Sequence, residues 1–406
     1  MERDMTSPRG PLDGIVIIEL AGIGPAPFAA MLLADMGARV IRVDRMDDAD
    51  LGLPGREPKF DVLGRGRQSI GIDMKNPEGI ALVKRLASTA DALIEGFRPG
   101  VIERLGLAPE VLLALNPRLV IGRMTGFGQD GPMSPRAGHD INYIALAGVL
   151  HAIGRRGEAP VPPLNLVGDF GGGGMMLAFG VVAGILSAQR TGRGQVVDAA
   201  MVDGAAYLMA MMFGFRSAGQ WNDERGANIL DTGSPWYDVY ETSDGKWLSV
   251  GAIEKRFYAA LLDGLGLKDA RLPKQYDRSG WPELRAQFAA VIKTKTRDEW
   301  AAIFADRDAC VAPVLSLDEV AQHPHMKGRG TLVARDGVLQ PAPAPRFSET
   351  PGQIGQSARQ PGQDTDAVLM AAGLGADDIA RLRRSGVVGG RVGGRVADLD
   401  RVGRIG

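Results

Sequence analysis

A histidine and an aspartate about thirty positions apart are the residues whose types could exchange a proton with a substrate. His139 is one of four histidines in 406 residues and stands in Gly138-His139-Asp140. Asp169 shortly precedes four consecutive glycines, Gly171 to Gly174. An imidazole and a carboxylate on glycine-rich corners can flank one reacting carbon as general base and general acid. The same residues are also typical of a packed or surface histidine and a helix-capping aspartate.

The composition excludes several classes of function. The formal net charge is −1, so no basic field argues for nucleic acid. Cys310 is the single cysteine, which excludes a disulfide framework and a multi-thiolate zinc site and predicts a cytoplasmic protein. The first residues carry acids and no apolar core, so we do not expect a signal peptide. Residues 170–188 carry no charge but contain six glycines, which favours a helix of a soluble domain over a membrane span.

Alternating strand and helix patterns must position these residues. The apolar run at 15–20 predicts a strand, a glycine turn and an apolar helix follow it, and 39–45 predicts a second strand. Further strand patterns at 69–73, 92–96 and 119–124 alternate with helical patterns at 77–90 and 110–117. The repetition predicts an α/β fold whose large domain has an open, Rossmann-like, mostly parallel sheet.

The composition changes after residue 216, and the second part of the chain predicts a small α+β domain. Ser243-Asp244-Gly245 between two strand patterns predicts a hairpin, and helical patterns follow it. The glycine-, arginine- and valine-rich end of the chain predicts a flexible tail. The predicted segments are an N-terminal extension 1–13, a large α/β domain 14–216, a linker 217–233, a small α+β domain 234–325, a return segment to the large domain 326–352, and the tail 353–406.

The first glycine turn resembles a dinucleotide-binding fingerprint only in part. Gly22-Ile23-Gly24 follows a strand, and Asp44 stands some twenty residues later. Pro27 replaces the third glycine or alanine, which argues against a nicotinamide or flavin site. The alternative is a tight turn at a sheet edge, which any nucleotide-like ligand could use.

Basic residues follow the ends of the predicted strands. In an open α/β sheet, ligands bind beyond the carboxyl ends of the strands, and arginine and lysine side chains there suit phosphates. Taken singly, each of these residues is more simply explained as a solvated surface charge. The residues are Arg42, Arg45, Lys75, Arg98 and Arg104.

Several stretches together make the chain resemble the family III CoA-transferase superfamily and, within it, the α-methylacyl-CoA racemases. The resemblance runs from about Pro11 to Phe347. It is carried by ELAGIGPAPFAAMLLADMGARVIRVDR, SIGIDMKNPEG, DALIEGFRPGVIERLGL, RMTGFGQDGP, AGHDINYIALAGVLHAIG, PVPPLNLVGDFGGGG, GQVVDAAMVDGA and GANILDTGSPWYDVYE. It implies an interlocked homodimer of a Rossmann-like large domain and a small domain, and a coenzyme A thioester as ligand. It implies no metal and no redox cofactor, since coenzyme A is part of the substrate, and a place in lipid and fatty acid metabolism.

The resemblance also separates two branches of the superfamily. An aspartate at the position of Asp169 is common to both, and in the transferases it is the nucleophile that forms an acyl-enzyme anhydride. The racemases carry GHD where transferases usually carry glycine–tyrosine–aspartate, and a glutamate in a GAIE context, where this chain has Glu254. Both features of this chain favour the racemase branch.

Inverting a carbon α to a thioester requires a proton to leave one face and another to arrive on the opposite face. His139 and Asp169 fit these two catalytic roles, and Glu254 would orient the imidazole and stabilise its protonated form. We predict that the N–H of Asp169, at the start of a helix from residue 170, donates to the enolate oxygen. Asp140 is either a supporting hydrogen-bond acceptor or a direct participant.

For the coenzyme A moiety, the resemblance implies Arg45 near the adenine or ribose, Lys75 along its strand and Arg104 on a phosphate. The other predicted binding residues are Arg42, Arg65, Ile72, Met74, Gly138, Tyr143 and Asn165. The partner is thus an acyl-CoA thioester in a homodimeric enzyme, with neither nucleic acid nor membrane. The competing hypotheses are coenzyme A transfer through Asp169, nicotinamide-dependent oxidoreduction at the Gly22 turn, and a non-catalytic coenzyme A-binding protein.

Overall fold

The structure is a computed structural model that describes residues 10–46 and 57–390. The chain divides into two compact units. Unit 1 comprises Met1–Ala147, Leu164–Leu208 and Gly330–Gly406. Unit 2 comprises Gly148–Pro163 and Met209–Arg329.

The strands in chain order are β1 Val16–Leu20, β2 Arg39–Asp44, β3 Arg67–Ile72, β4 Ala92–Glu95, β5 Val120–Thr125, β6 Gln195–Ala200, β7 Tyr237–Glu241, β8 Trp247–Gly251, β9 Val311–Pro313, β10 Leu332–Arg335, β11 Val338–Pro341 and β12 Val388–Gly389. The α-helices are α1 Pro25–Asp35, α2 Pro77–Ala87, α3 Val101–Arg104, α4 Pro109–Leu115, α5 Asp140–Leu146, α6 Val149–Ala152, α7 Met176–Thr191, α8 Met201–Leu208, α9 Ala210–Ser217, α10 Lys255–Gly264, α11 Trp281–Ile292, α12 Arg297–Phe304, α13 Leu317–Val320, α14 Pro324–Arg329, α15 Thr365–Ala371 and α16 Ala376–Arg384. A π-helical segment spans Leu166–Met175. Short 3-10 turns lie at Pro58–Phe60, Val62–Gly64 and Arg278–Gly280.

Unit 1 is built on a seven-stranded sheet in the order β12-β3-β2-β1-β4-β5-β6. Strands β1 to β6 are parallel, and only β12 runs antiparallel, beside β3. The central strands are mostly apolar because helices cover both faces, and their buried charged side chains are paired, as Glu19 is with Arg67. In β1, for example, Ile17 packs into one core while Ile18 and Leu20 pack into the other. The predicted open, mostly parallel α/β sheet is confirmed.

The strand order of unit 1 reverses between β1 and β4. Strands β2 and β3 lie on one side of β1, and β4, the next strand in the chain, lies on its other side. Ligands of open α/β sheets bind beyond the carboxyl ends of the strands at such a reversal. The turn Gly22–Gly24 after β1 and the turn 96–100 after β4 flank this point.

The prediction of a flexible tail from residue 353 is wrong for residues 353–390. Helices α15 and α16 bury four apolar side chains in the core on one face of the sheet, and β12 extends the sheet. Helical spacing of these apolar residues outweighs the surrounding glycine and arginine content. The side chains are Val368, Leu369, Ile379 and Leu382. Residues 391–406, with most of the glycine–arginine–valine repeat, lie outside the described residues.

Unit 2 has a three-stranded antiparallel sheet in the order β7-β8-β9, packed on α10, α11 and α12 around Trp236, Phe288 and Trp300. The hairpin predicted at 243–245 joins β7 to β8. The predicted linker 217–233 is wrong, since Asn228 and Asp231 are buried and hydrogen-bonded to each other within unit 2. The predicted boundaries also differ, because residues 148–163 and 209–216 belong to unit 2 and the chain returns to unit 1 at residue 330.

Candidate active site

Asp169 lies inside the π-helical segment of unit 1, and glycines allow this wide helix to pack closely. A methyl group on Gly172 would lie 2.6 Å from the backbone nitrogen of Ala205 in α8. One on Gly174 would lie 2.7 Å from the carbonyl oxygen of Pro25 in α1. The glycine run therefore serves backbone packing between α1 and α8, and π-helical turns often occur at functional sites. The predicted helix start at residue 170 is wrong, because the helical segment already begins at Leu166.

The carboxylate of Asp169 has defined neighbours. Asn165 Nδ2 donates a hydrogen bond to Asp169 Oδ2 at 3.0 Å. A methyl group on Gly24 would lie 3.5 Å from the same oxygen, so the glycine turn after β1 lies beside the carboxylate. Helix α1 begins directly after this turn, and the positive end of its dipole lies beside the negative charge.

The pKa of Asp169 is raised from its ordinary value, chiefly because burial disfavours the charged form. The hydrogen bond from Asn165 lowers the pKa, the negative charge of Asp140 raises it, and the positive charge of His139 lowers it. Unit 1 therefore brings His139 and Asp169 close enough for their charges to interact. A raised pKa suits a carboxyl group that must both take and give a proton near neutral pH.

Asp140 supports Asp169 through the backbone. The N–H of Asp169 donates to Asp140 Oδ2 at 2.8 Å. Asp140 is 5% exposed, and Gly168 makes room for it, since a methyl group there would lie 2.5 Å from Oδ2. The prediction that the Asp169 N–H points at an enolate oxygen is therefore wrong in this structure, because a carboxylate already occupies that donor.

His139 is exposed and is the residue immediately before α5. Its N–H donates to Asn142 Oδ1 at 3.0 Å, and its carbonyl accepts from the N–H of Asn142 at 2.8 Å. These bonds fix the backbone of His139 at the helix start and leave the imidazole at the surface of unit 1.

Gly138 and Tyr143 pack against each other beneath His139. The Tyr143 hydroxyl donates to the Gly138 carbonyl, and its ring meets Phe127 edge-on with centroids 5.0 Å apart. Burial, together with the charges of Asp169 and Asp140, raises the pKa of Tyr143 to about 12, although the charge of Arg98 lowers it. The phenol is thus neutral at physiological pH and holds the turn, which differs from the direct substrate contact predicted for Gly138 and Tyr143.

Four basic side chains are exposed beyond the carboxyl ends of the strands. Arg45 follows β2, Lys75 follows β3, Arg98 follows β4 and Arg104 ends α3. Within the described part of the chain, none of the four side chains makes a hydrogen bond or ion pair with a protein group. This edge of the sheet can therefore offer several positive charges to phosphate groups.

Four other predicted binding residues are engaged elsewhere. Arg65 is 2% exposed and pairs with Asp35 at 2.5 Å, and Arg42 pairs with Asp44 at 2.9 Å. Ile72 is 1% exposed in the core beneath α15 and α16, and Met74 packs partly buried on the same core. The predictions for Arg65 and Ile72 are wrong, because Arg65 is paired with a buried carboxylate and Ile72 is packed in the apolar core. Sequence alone could not reveal the partner Asp35.

Glu254 lies in unit 2, exposed, between β8 and α10. It precedes the first residue of α10, and its carbonyl accepts from the N–H of Tyr258 at 2.9 Å. Its predicted role toward His139 stays a prediction.

Two glycines of the site have roles that the sequence analysis does not predict. Gly24, with φ +71°, lies beside the Asp169 carboxylate, and Gly168 leaves room for Asp140 to reach the Asp169 N–H. The signal for Gly168 was its place beside Asp169. Among residues 10–46 and 57–390, no group of three His, Cys, Asp or Glu side chains could hold a metal ion.

One helix of the described chain, Leu166–Thr191, is long and apolar enough by composition to cross a membrane. Forty-four per cent of its apolar window is buried, and its glycine-rich first part packs on α1 and α8. A core helix passes the same test of length and composition.

Comparison with known proteins identifies relatives along nearly the whole chain. A family model described as CoA-transferase family III matches residues 12–365. Human alpha-methylacyl-CoA racemase is 46% identical over 93% of this chain and 97% of its own length, and the mouse protein shows the same values. Succinyl-CoA–D-citramalate CoA-transferase of Chloroflexus aurantiacus is 32% identical over 94% of this chain and 99% of its own length.

The fold has solved relatives. The crystal structure of a CAIB/BAIF family protein from Brucella suis superposes with a TM-score of 0.76 at 26% identity. The match covers 90% of this chain and all of that chain.

Proposed function

The chain belongs to CoA-transferase family III, and we propose that it is a racemase of 2-methyl-branched acyl-CoA thioesters. The observation that carries the proposal is that unit 1 brings the segment of His139 to Asp169: Asp140, the next residue after His139, accepts from the N–H of Asp169 at 2.8 Å, and burial raises the pKa of the Asp169 carboxyl group. The two relatives at 46% identity, both alpha-methylacyl-CoA racemases, support the same reaction.

In the proposed mechanism His139 and Asp169 stand on opposite faces of the α-carbon. One removes the α-proton as a base while the other returns a proton as an acid, and the roles exchange for the other epimer. Asp140 fixes the backbone of Asp169 through the 2.8 Å hydrogen bond.

The enolate intermediate needs stabilisation that the occupied N–H of Asp169 does not supply. The amino end of α1 supports it instead, because Gly24 places that end beside Asp169 Oδ2. The reaction uses no metal and no redox cofactor, since coenzyme A is part of the substrate.

Arg45, Lys75 and Arg104 bind the coenzyme A phosphates in this proposal. Their exposure at the carboxyl edge of the parallel sheet supports this role. Arg98, which the sequence also places after a strand end, is exposed after β4, and its charge lowers the pKa of Tyr143.

The assembly in this proposal is an interlocked homodimer in the cytoplasm, without nucleic acid or membrane, in lipid and fatty acid metabolism. Exposed apolar side chains at the end of the π-helical segment, on α7 and on the edge strand β6 support an interface on unit 1. They are Met175, Phe179, Leu186 and Val196, of which Phe179 is 74% exposed.

The test is to incubate one epimer of a 2-methylacyl-CoA with the protein in deuterium oxide. We expect deuterium at the α-carbon and formation of the other epimer, without any added carboxylic acid. The second candidate is coenzyme A transfer through an Asp169 acyl anhydride, which the citramalate CoA-transferase relative favours. Absence of exchange, together with acyl-CoA formation from an added carboxylate, would establish that alternative.

A further inference from the structure

A buried arginine joins the two ends of the segment between β4 and α3. Arg123, on β5, is 6% exposed. Its Nε donates to Glu95 Oε1 at 2.8 Å, and its Nη1 lies 2.8 Å from Glu103 Oε1. Glu95 is the last residue of β4 and is fully buried, whereas Glu103 lies on α3 with its side chain 36% exposed. One guanidinium therefore bridges the start and the end of this turn.

The turn is fixed at further points. The N–H of Phe97 donates to Glu95 Oε2 at 2.7 Å, and Ile102 is fully buried. Gly100 has φ +82°, and a methyl group on it would lie 3.1 Å from Arg104 Nη1. The guanidinium of Arg104 thus lies over the turn whose backbone the Arg123 bridge holds.

The two carboxylate partners of the buried Arg123 differ in exposure, since Glu95 is fully buried and Glu103 is partly exposed. Desolvation acts against the charged form of Glu103, yet hydrogen bonds from its own N–H and from Arg123 lower its pKa below the ordinary value. Glu103 is therefore ionised and bound to Arg123 at neutral pH. A buried guanidinium held by two carboxylates keeps one geometry better than a solvated pair, because its planar donors fix direction as well as distance.

We propose that Arg123 and Glu103 are positioning residues for the phosphate-binding part of the site. They hold α3 so that the guanidinium of Arg104 is already ordered when a phosphate of coenzyme A binds to it. This inference rests on the proposed role of Arg104. Neither Arg123 nor Glu103 contacts the substrate, so their effect falls on affinity for the phosphate-bearing part and not on proton transfer.

Glu103→Gln is the informative variant. It removes the charge that ties α3 to Arg123 and leaves the buried Arg123–Glu95 pair intact, so we expect the protein to fold. Affinity for acetyl-CoA should fall about threefold to tenfold, the range for ordering one long side chain on binding. Affinity for S-acetylpantetheine, which lacks the nucleotide diphosphate, should stay at the wild-type value. Glu103→Asp, which restores the charge on a shorter side chain, should bind acetyl-CoA with intermediate affinity.

Glu110→Gln is the matched control. Glu110 stands in the first turn of the next helix, α4, and is exposed. Its side chain makes no hydrogen bond or ion pair with the part of the chain that the structure describes. The control should bind both ligands as the wild type does.

The experiment is titration of wild type and variants with the two ligands, without turnover. Wild-type affinity of Glu103→Gln for acetyl-CoA, or an equal loss for both ligands, would overturn the positioning role. Failure of the racemase proposal is a separate result. If the protein binds acetyl-CoA but exchanges no α-proton, the affinities of the wild type and the variants for the two ligands still test the positioning role. A wild-type protein that binds neither ligand would contradict both proposals.

Discussion

Removing the side-chain amide of Asn165 should raise the pH at which Asp169 titrates. Asn165 Nδ2 donates to Asp169 Oδ2 at 3.0 Å, and this bond lowers a pKa that burial raises. A hydrogen bond to a charged group contributes about 1.5–3 kcal/mol, and because Asn165 is exposed we take about 1 kcal/mol. At 1.36 kcal/mol per pKa unit, Asn165→Ala should raise the pKa of Asp169 by about 0.7 unit.

The effect on the rate is opposite for the two epimers, although both pH limbs move up. Asp169 must be ionised to act as base, so the acid limb of kcat/KM for one epimer moves up by about 0.7 pH unit, which is about a fivefold loss on that limb. Asp169 must be protonated to act as acid, so the alkaline limb for the other epimer also moves up. The variant therefore loses rate in acid for one epimer and gains rate at higher pH for the other.

The assay is solvent-hydrogen exchange at the α-carbon, measured for each epimer as a function of pH. Asn76→Ala is the matched control, since Asn76 Oδ1 accepts from the N–H of Glu78 at the start of α2, a hydrogen bond that does not involve Asp169. Its pH profiles should coincide with those of the wild type. Limbs that stay in place or move to lower pH in Asn165→Ala would refute the reasoning, as would an equal shift in the control.

Further variants test other parts of the account. Gly168→Ala, with its methyl group 2.5 Å from Asp140 Oδ2, should lower kcat for exchange about 10- to 100-fold by displacing Asp169. Gly214→Ala, with open space around it, should leave kcat unchanged. Arg67→Met leaves the fully buried Glu19 carboxylate without its partner, and urea unfolding should show a loss of about 3–5 kcal/mol. Arg381→Met breaks only an exposed pair with Glu78 and should cost at most about 1 kcal/mol. Similar losses in the two arginine variants would contradict the burial argument.

The parallel sheet could be predicted from the sequence because its strands are buried on both faces. Runs such as residues 15–20 and 119–124 are mostly apolar, with Glu19 and Arg123 as the charged exceptions, and helical patterns separate them. The carboxyl ends of those strands then locate the basic residues Arg45, Lys75 and Arg104 at one edge. Hydrophobic periodicity is a local property, so one sequence is sufficient to predict these strands and helices, whereas the order of the strands in the sheet was not predicted.

Pairings between distant residues could not be read in the same way. Arg65 meets Asp35 and Gln340, which lies 275 positions later in the chain. Nothing in the local sequence distinguishes such an arginine from one that binds a phosphate. The partner of the Asp169 N–H cannot be read from the sequence for the same reason: the sequence shows that Asp140 is acidic, but the direction of its side chain depends on the room that Gly168 leaves.

The buried C-terminal helices show a different limit. Composition around residues 353–390 is rich in glycine and arginine, and it concealed the apolar spacing of Val368, Leu369, Ile379 and Leu382. Averaged composition predicts a tail, whereas these four apolar side chains, at helical spacing, pack two short helices on the sheet.

The most direct measurement of the central claim is exchange by variants that lack one of the two bases. His139→Ala and Asp169→Asn should each be incubated with each pure epimer of a 2-methylacyl-CoA in deuterium oxide. If the two residues stand on opposite faces of the α-carbon, each variant exchanges the α-hydrogen of one epimer only, without inversion, and the two variants select opposite epimers. Exchange of both epimers by either variant, or selection of the same epimer by both, would contradict the two-base account.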